Sequence, residues 1–330
     1  MESTARNRVI DFYKGILMWG VIWGHFIAAF FAGWCDKPVG VHTFFRIYDM
    51  PFFMLISGYL LQGSVNKYSL KQLLMNKITY LLVPLMVWNA FMWDWKNFYF
   101  IGVVFVSSMI CIGVHAMAKR WGRWTELLLY GLIIVLLHVI CVPWNVSYLF
   151  PFFCVGYFLS DLDFKLRKPY LLLVIAGFIA GVVFWKPAYS GWALRYDAWQ
   201  ADMRVIGIYI YRFVLGVLGC VTMAQVFQWL HRVLPTKLAH YLSFVGTETL
   251  GLYLLQGVIV EIVMKKLVLH ADMSFFNAHL SIVHPVVGYI VAPVFALLLM
   301  GILMVVVRWM KSSKYTDWLL GFKLKSLTNH

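Results

Sequence analysis

Long apolar runs separated by short polar segments fill the chain from end to end. A transmembrane helix needs about 20 mostly apolar residues, and a scan for such runs predicts ten membrane spans. Apolar residues are near-continuous within each run and do not alternate with period two, which favours helices over transmembrane β-strands. The predicted spans are residues 10–33, 42–62, 78–95, 98–117, 124–142, 146–161, 169–186, 204–229, 241–265 and 281–308.

The composition agrees with this pattern. Hydrophobic residues make up 62% of the 330 residues and charged residues 13%, whereas a soluble domain is roughly half apolar and a quarter charged. A soluble chain could not cover so much apolar surface, and an aromatic content of 18% excludes a disordered one. We therefore expect an all-α integral membrane protein, a bundle of about ten helices that forms a single transmembrane domain over residues 1–330.

The basic residues set the expected orientation. An even number of spans puts both termini on one side of the membrane, and 18 of the 28 Lys and Arg residues fall on that side against seven on the other. Cytoplasmic loops of membrane proteins carry the excess of Lys and Arg. The sequence therefore predicts a multi-pass protein of the cell inner (cytoplasmic) membrane with both termini in the cytoplasm.

The net charge of +14 does not indicate a nucleic-acid partner, because the basic residues form short clusters between apolar runs. The five cysteines show no CxxC spacing, and four of them lie within apolar runs, where cysteine usually acts as a small hydrophobic residue. The sequence thus predicts no disulfide framework, no metal site and no nucleic-acid binding, with the lipid bilayer as the surrounding medium.

Three ionisable residues interrupt the first span. At 100° per residue, Lys14 and His25 project within about 20° of each other, Asp11 and His25 within about 40°, and His25 lies about 16 Å further along the axis than Lys14. Ionisable residues inside a span are costly and usually functional, so we expect a polar stripe from the cytoplasmic end toward the outer half. A basic helix end followed by a hydrogen-bonded interior histidine is the alternative.

Four polar residues on four spans lie at a similar depth, about 10–13 Å from the outer end of each span. They are His25, Asp49, Arg212 and Gln256, and the shared depth predicts a shared site. A carboxylate such as Asp49 beside His25 would orient the imidazole, as in hydrolytic triads. Asp49 could equally pair with Arg46, three residues earlier on the same helix face.

Several segments resemble one known family. Arg8 to Gly15 (RVIDFYKG) and Val21 to His25 (VIWGH) resemble the opening helix of the membrane acyltransferase 3 family, most closely its polysaccharide and fucose O-acetylase-like branch. The family motif is a basic residue followed, after ten further residues, by a histidine. Lys14 and His25 occupy these two positions. Four later segments resemble family signatures in the expected order: 49–60 (DMPFFMLISGYL), 77–84 (KITYLLVP), 148–157 (YLFPFFCVGY) and 246–256 (GTETLGLYLLQ).

Four positions depart from the family pattern, while His25 is retained. Lys14 replaces an arginine, Asp49 the histidine before Met-Pro, Tyr80 a second arginine, and Gln256 a histidine. Lysine does not replace arginine where phosphate is bound by two parallel hydrogen bonds.

The resemblance implies a transmembrane acyltransferase domain over residues 1–330. It implies transfer of an acyl group, usually acetyl, from acyl-CoA at the cytoplasmic side to a hydroxyl of an extracytoplasmic glycan or lipid-linked sugar. His25 would be the general base, with Asp49 as its partner, although a covalent acyl-histidine remains open. Donor binding is expected at Asp11, Lys14, Lys71 and Lys77, and substrate binding at Arg46, Arg212 and Gln256, of which Arg212 or Gln256 would polarise the thioester carbonyl.

The competing interpretation is a non-enzymatic transporter or flippase of a polysaccharide intermediate, because charged residues inside the membrane also suit transport pathways. Many transporters consist of repeated halves, and the sequence shows no internal repeat. The single helix with a basic residue and a histidine favours the enzyme.

Overall fold

The computed structural model describes residues 8–31, 40–92, 98–119, 121–139, 146–159, 167–186, 189, 203–313 and 315–321. Every regular element in these ranges is helical and none is a strand, which confirms the predicted helical class for this part of the chain. Within these ranges, five helices are long and apolar enough to cross a membrane: Gly40–Val65, Leu70–Met92, Tyr99–Ala118, Ile206–Val233 and Leu280–Ser312. The count of ten spans and the cytoplasmic location of the termini stay predictions.

Each predicted span overlaps one or more of the observed helices. The helices are α1 (Arg8–Phe30), α2 (Gly40–Val65), α3 (Leu70–Lys77), α4 (Val83–Met92), α5 (Tyr99–Ala118), α6 (Arg123–Val139), α7 (Val146–Leu159), α8 (Lys168–Val183), α9 (Met203–Val233), α10 (Thr236–Thr247), α11 (Thr249–Gln256), α12 (Lys265–His270), α13 (Ser274–Ala278), α14 (Leu280–Val286) and α15 (Ala292–Ser312). A 3₁₀ turn follows at Asp317–Leu320.

In the part of the chain that the structure describes, three π-helical segments join neighbouring helices into longer ones. Ile78–Leu82 links α3 to α4, Gly257–Met264 links α11 to α12, and Val287–Val291 links α14 to α15. Pro84 and Pro293 follow the first and the last of these segments by two residues. Proline has no N–H to donate to the carbonyl four residues earlier in an α-helix. The wider π-helical turn before each proline therefore allows the helix to continue past this missing hydrogen bond.

The chain divides into two compact units. The first comprises Met1–Asp49 and Cys220–Ser313, and in its described part α1 packs against α10, α11, α12, α15 and the π segment Gly257–Met264. The closest approach is reciprocal: a Cβ on Gly15 would lie 2.0 Å from the Leu242 carbonyl oxygen, and one on Gly246 would lie 1.7 Å from that of Asp11. Glycine at both positions therefore lets the α1 and α10 backbones touch.

The second unit comprises Met50–Gly219 and Lys314–His330. In its described part, α5 packs against α3, α6 and α7, and α4 packs against the 3₁₀ turn, where Trp88 Nε1 donates to the Leu319 carbonyl at 2.7 Å. A second reciprocal glycine contact joins α2 to α7. A Cβ on Gly58 would lie 2.0 Å from the Phe153 oxygen, and one on Gly156 would lie 1.9 Å from the Leu55 oxygen.

Candidate active site

The polar stripe predicted in the first span lies on α1. Asp11 is buried, with 6% of its surface exposed, and its Oδ1 is 3.5 Å from the Lys14 Nζ. His25 is half-buried eleven residues further along the same helix. One helix thus carries an ion pair near its start and an imidazole near its end.

Small residues on α10 bury the Asp11 end of this stripe. The Gly246 backbone lies directly against the Asp11 carbonyl, and Ser243 Oγ donates to the Arg8 carbonyl at 3.3 Å. A larger side chain at Gly246 would push α1 away and open Asp11 to its surroundings. The close α1–α10 contact therefore accounts for the burial of a carboxylate that its lysine partner neutralises.

The rotation of α1 near His25 is fixed by a hydrogen bond that depends on a proline. In the π segment Val287–Val291, the Ala292 N–H bonds to the Val287 carbonyl, five residues earlier. The Gly288 carbonyl would pair in the same way with Pro293, which has no N–H. Trp23 Nε1 donates to this Gly288 carbonyl at 2.8 Å. Since Trp23 precedes His25 by two residues, the bond constrains the direction in which the imidazole projects.

The α2 residues Arg46 and Asp49 have different surroundings. Arg46 is exposed, and its Nε donates to His42 Nε2 at 3.1 Å, one turn earlier on the same helix. Asp49 is buried, with 8% of its surface exposed. His42 itself lies against α1, because a Cβ on Gly24 would be 3.4 Å from its Cδ2. The sequence did not indicate a role for His42, although the spacing of His42 and Arg46 by four residues suits such a pair.

Gln256 ends α11 immediately before the π segment Gly257–Met264, and only 1% of its surface is exposed. Its Nε2 donates to the Tyr253 carbonyl at 3.3 Å. Its Oε1 is buried and accepts no hydrogen bond from the residues that the structure describes. An amide oxygen so placed suits a substrate O–H or N–H, since a buried acceptor without a donor is costly.

Arg212 belongs to the second unit, whereas His25, Asp49 and Gln256 belong to the first. Arg212 is buried, with 8% exposed, and its guanidinium carbon lies 4.0 Å from the centre of the Tyr148 ring. The grouping of all four residues in one site therefore stays a prediction. Tyr148 falls in one of the family-like segments, but nothing in the sequence indicated its contact with Arg212.

The predicted donor-binding lysines of the second unit lie at the two ends of α3. Lys71 is exposed in the first turn, and Lys77 is half-buried at the last residue. A capping box fixes the start of this helix: Ser69 Oγ accepts from the Gln72 N–H, and the Gln72 side chain accepts from the Ser69 N–H. The cap orders the basic turn before the apolar part of the helix begins.

A second polar cluster, which no pattern in the sequence predicted, joins the ends of α5, α6 and α7. His115 Nδ1 is 2.8 Å from the Tyr157 hydroxyl and 3.5 Å from Glu126 Oε1. Tyr157 closes the family-like segment 148–157, so this contact gives that segment a structural role. Within the described ranges, no three His, Cys, Asp or Glu side chains are grouped closely enough to hold a metal ion.

Comparison with known proteins identifies relatives of this chain. The acyltransferase 3 family model, described as an acyltransferase domain, matches residues 7–99. Nodulation protein NolL of Mesorhizobium japonicum (strain LMG 29417 / CECT 9101 / MAFF 303099) is 25% identical over 302 residues, an alignment that covers 79% of this chain and 78% of that protein. Nodulation protein NolL of Sinorhizobium fredii (strain NBRC 101917 / NGR234) is 26% identical over 302 residues, with 79% and 80% covered. No solved structure matches significantly.

The matched region contains the whole of α1 to α4, including Asp11, Lys14, His25 and Asp49. The two relatives extend the similarity over most of the chain. These matches support a multi-pass membrane acyltransferase. The resemblance to the membrane acyltransferase 3 family, predicted from the motifs of this chain, is thereby confirmed.

Proposed function

We propose that the protein transfers an acyl group, acetyl in the first instance, from cytoplasmic acyl-CoA to a hydroxyl of an extracytoplasmic glycan or lipid-linked sugar. The observation that carries this proposal is the arrangement of α1 within the matched acyltransferase region. A buried carboxylate and its lysine lie near one end of the helix, and a half-buried histidine lies eleven residues beyond Lys14. This spacing along one helix suits a long thioester donor whose charged and reactive ends are far apart.

The donor would be held through its negative groups. Lys71, exposed in the first turn of α3, and Lys77 at its end would attract the phosphates of CoA. Lys14 would hold the donor nearer the membrane interior, while Asp11 keeps the lysine ammonium in position. These residues are predicted to lie on the cytoplasmic side of the membrane, where acyl-CoA is available.

At the other end of α1, His25 would act as general base. It removes the proton of the acceptor hydroxyl as the hydroxyl oxygen attacks the thioester carbonyl carbon. The carbon–sulfur bond then breaks, an ester forms on the sugar, and the proton passes to the departing thiolate to give free CoA. Asp49 would orient the imidazole, and Arg46, Arg212 and Gln256 would contact the acceptor or the carbonyl oxygen as it becomes negative.

Acyl transfer by the purified chain in liposomes tests the proposal, with radiolabelled acetyl-CoA and surface glycans as acceptor. His25→Ala is expected to lower the transfer rate by at least about 10²-fold, which is typical for loss of a positioned base. The matched control is His240→Ala, because His240 is exposed on α10, and this variant should keep the wild-type rate.

Free CoA and acylated sugar are measured separately in this assay. Wild-type protein that consumes no acyl-CoA would favour the transporter interpretation. A folded His25→Ala variant with a near-normal rate would instead remove His25 from the chemistry.

A further inference from the structure

The surroundings of Arg212 are unusual for a positive charge inside an apolar helix. Arg212 lies on α9 with 8% of its surface exposed, and its Nε is buried without a hydrogen-bond partner in the described part of the chain. The guanidinium carbon is 4.0 Å from the centre of the Tyr148 ring and 6.0 Å from that of Tyr209. The contacts that define this site are therefore two aromatic faces.

Neighbouring side chains hold the aromatic side of the site in place. The Tyr148 ring packs edge-on against Phe152 at 5.5 Å and against Tyr209 at 6.3 Å. The Tyr209 ring also packs edge-on against the His138 ring at 5.5 Å, and His138 Nδ1 donates to the Ile134 carbonyl at 2.8 Å. Side chains from α6, α7 and α9 thus fix the platform on which the guanidinium lies.

Aromatic faces satisfy only part of what a buried guanidinium needs. The guanidinium stays charged at any physiological pH, and the face of a tyrosine ring stabilises its positive charge from above the plane. The five N–H donors point outward within the plane, where they suit the two oxygens of a carboxylate or phosphate. Charges within membrane helices are normally paired, so the geometry calls for an anion beside the edge of Arg212.

We propose that Arg212, backed by Tyr148, binds a negatively charged group of the acceptor, so that the sugar to be acylated carries a carboxylate or a phosphate. This inference rests on the proposed function, which requires an acceptor glycan or lipid-linked sugar. It narrows the acceptor from any hydroxyl-bearing sugar to an acidic or phosphorylated one. Neutral sugars would leave the buried cation without an anionic partner and would bind more weakly.

Binding is measured with the full chain purified in detergent, in the absence of acyl-CoA, by calorimetric titration. The probes are glucuronate and glucose 1-phosphate, with glucose as the neutral comparison and glycerol 3-phosphate as a phosphate without a sugar. Wild-type protein is expected to bind at least one anionic sugar about tenfold more tightly than glucose. The two anionic sugars distinguish a carboxylate from a phosphate on the acceptor.

Three variants locate the effect. Arg212→Gln should abolish the preference for the anionic sugar, and Arg212→Lys should keep only part of it, because lysine lacks the planar set of donors. The control is Arg232→Gln, since Arg232 is exposed near the end of the same helix, and it should bind like the wild type. If Arg212→Gln does not fold, the comparison of Arg212→Lys with wild type decides: equal binding overturns the proposal.

The remaining outcomes are distinct. No preference for either anionic sugar, or a preference that persists in a folded Arg212→Gln variant, overturns the proposal. If glucose 1-phosphate is the preferred sugar, equally tight binding of glycerol 3-phosphate would show recognition of phosphate alone, as for a lipid headgroup, and would also overturn the proposal. Binding is measured without an acyl donor, so its outcome does not depend on the transfer reaction. If the protein transfers no acyl group but still binds an anionic sugar through Arg212, the proposed reaction is contradicted and the proposed anion site at Arg212 is supported.

Discussion

Lys14 is expected to act in donor binding through its charge. Its Nζ lies 3.5 Å from Asp11 Oδ1, and 17% of the lysine side chain remains exposed against 9% of the aspartate. Lys14→Met removes the charge that would attract the donor, so we expect the KM for acyl-CoA to rise about tenfold or more with a smaller change in kcat. Lys14→Arg should retain most of the activity, because it keeps the charge.

Initial rates of both Lys14 variants at varied acetyl-CoA concentration provide the measurement. Unchanged donor kinetics in both variants would contradict the donor-binding assignment. Lys14 would then serve only as the partner that neutralises buried Asp11.

Gln256 allows function to be separated from stability. Its Oε1 is buried without a donor from the described residues, so the apolar and similarly shaped Gln256→Met should fold at least as stably as the wild type. If the amide contacts the substrate, the same substitution should lower kcat/KM for the acceptor about tenfold. Thermal unfolding in detergent and acceptor kinetics give the two readouts, and a large loss of stability with normal kinetics would indicate a structural role.

Sequence periodicity placed Asp11, Lys14 and His25 on one face of α1 and missed the contacts between helices. The Asp11–Lys14 pair follows from their spacing of three residues on α1. The contact of Arg212 with Tyr148 and that of His115 with Tyr157 each join residues far apart in the chain. Such contacts depend on which helices are neighbours and on how each is rotated, and the apolar pattern of a membrane helix carries little of this information.

At the scale of elements, glycine contacts set how closely helices approach. Gly58 on α2 packs against the Phe153 carbonyl of α7, and Gly156 on α7 packs against the Leu55 carbonyl of α2. A Cβ added at either glycine would lie about 2 Å from that backbone oxygen. Small residues let membrane helices pack backbone to backbone. Alanine at either position must therefore push the helices apart, at a cost of roughly 1–3 kcal/mol.

Thermal unfolding of Gly58→Ala and Gly156→Ala in detergent checks this expectation. Gly63→Ala is the matched control, because Gly63 lies on the same helix α2 and nothing lies within 4 Å of its added Cβ. Both test variants should melt at lower temperature than this control. A melting temperature for Gly58→Ala equal to that of Gly63→Ala would contradict the close α2–α7 contact.

The ends and breaks of the helices were harder to predict than their existence. The span predicted at 78–95 belongs to a helix that already starts at Leu70, because Ser69 and Gln72 cap a polar first turn that hydropathy does not detect. The span predicted at 241–265 is interrupted between Thr247 and Thr249. At this break Glu248 Oε2 is 2.5 Å from the Lys311 Nζ on α15, a partner that no local pattern indicates.

For the molecule as a whole, orientation in the membrane decides whether the proposed reaction is possible. The excess of Lys and Arg in alternate loops predicts that the segment between α2 and α3 faces the cytoplasm and that the segment between α12 and α13 faces outward. Lys71 and Lys77 would then meet cytoplasmic acyl-CoA. The inverted orientation would place these two lysines outside, where a CoA donor is not expected.

Single cysteines at Asn66 and Ala271 test this orientation, because both residues are exposed. Next to Ala271, the Ser274 N–H donates to the Asp272 carboxylate at 2.9 Å and keeps its pKa below the usual value, which favours a charged, hydrated loop. Cys35 and Cys141 are first replaced by alanine, while Cys111, Cys154 and Cys220 are buried. In intact cells an impermeant maleimide should label Ala271→Cys, and it should label Asn66→Cys only after permeabilisation. Labelling of Asn66→Cys alone in intact cells would reverse the orientation and contradict a cytoplasmic donor site at α3.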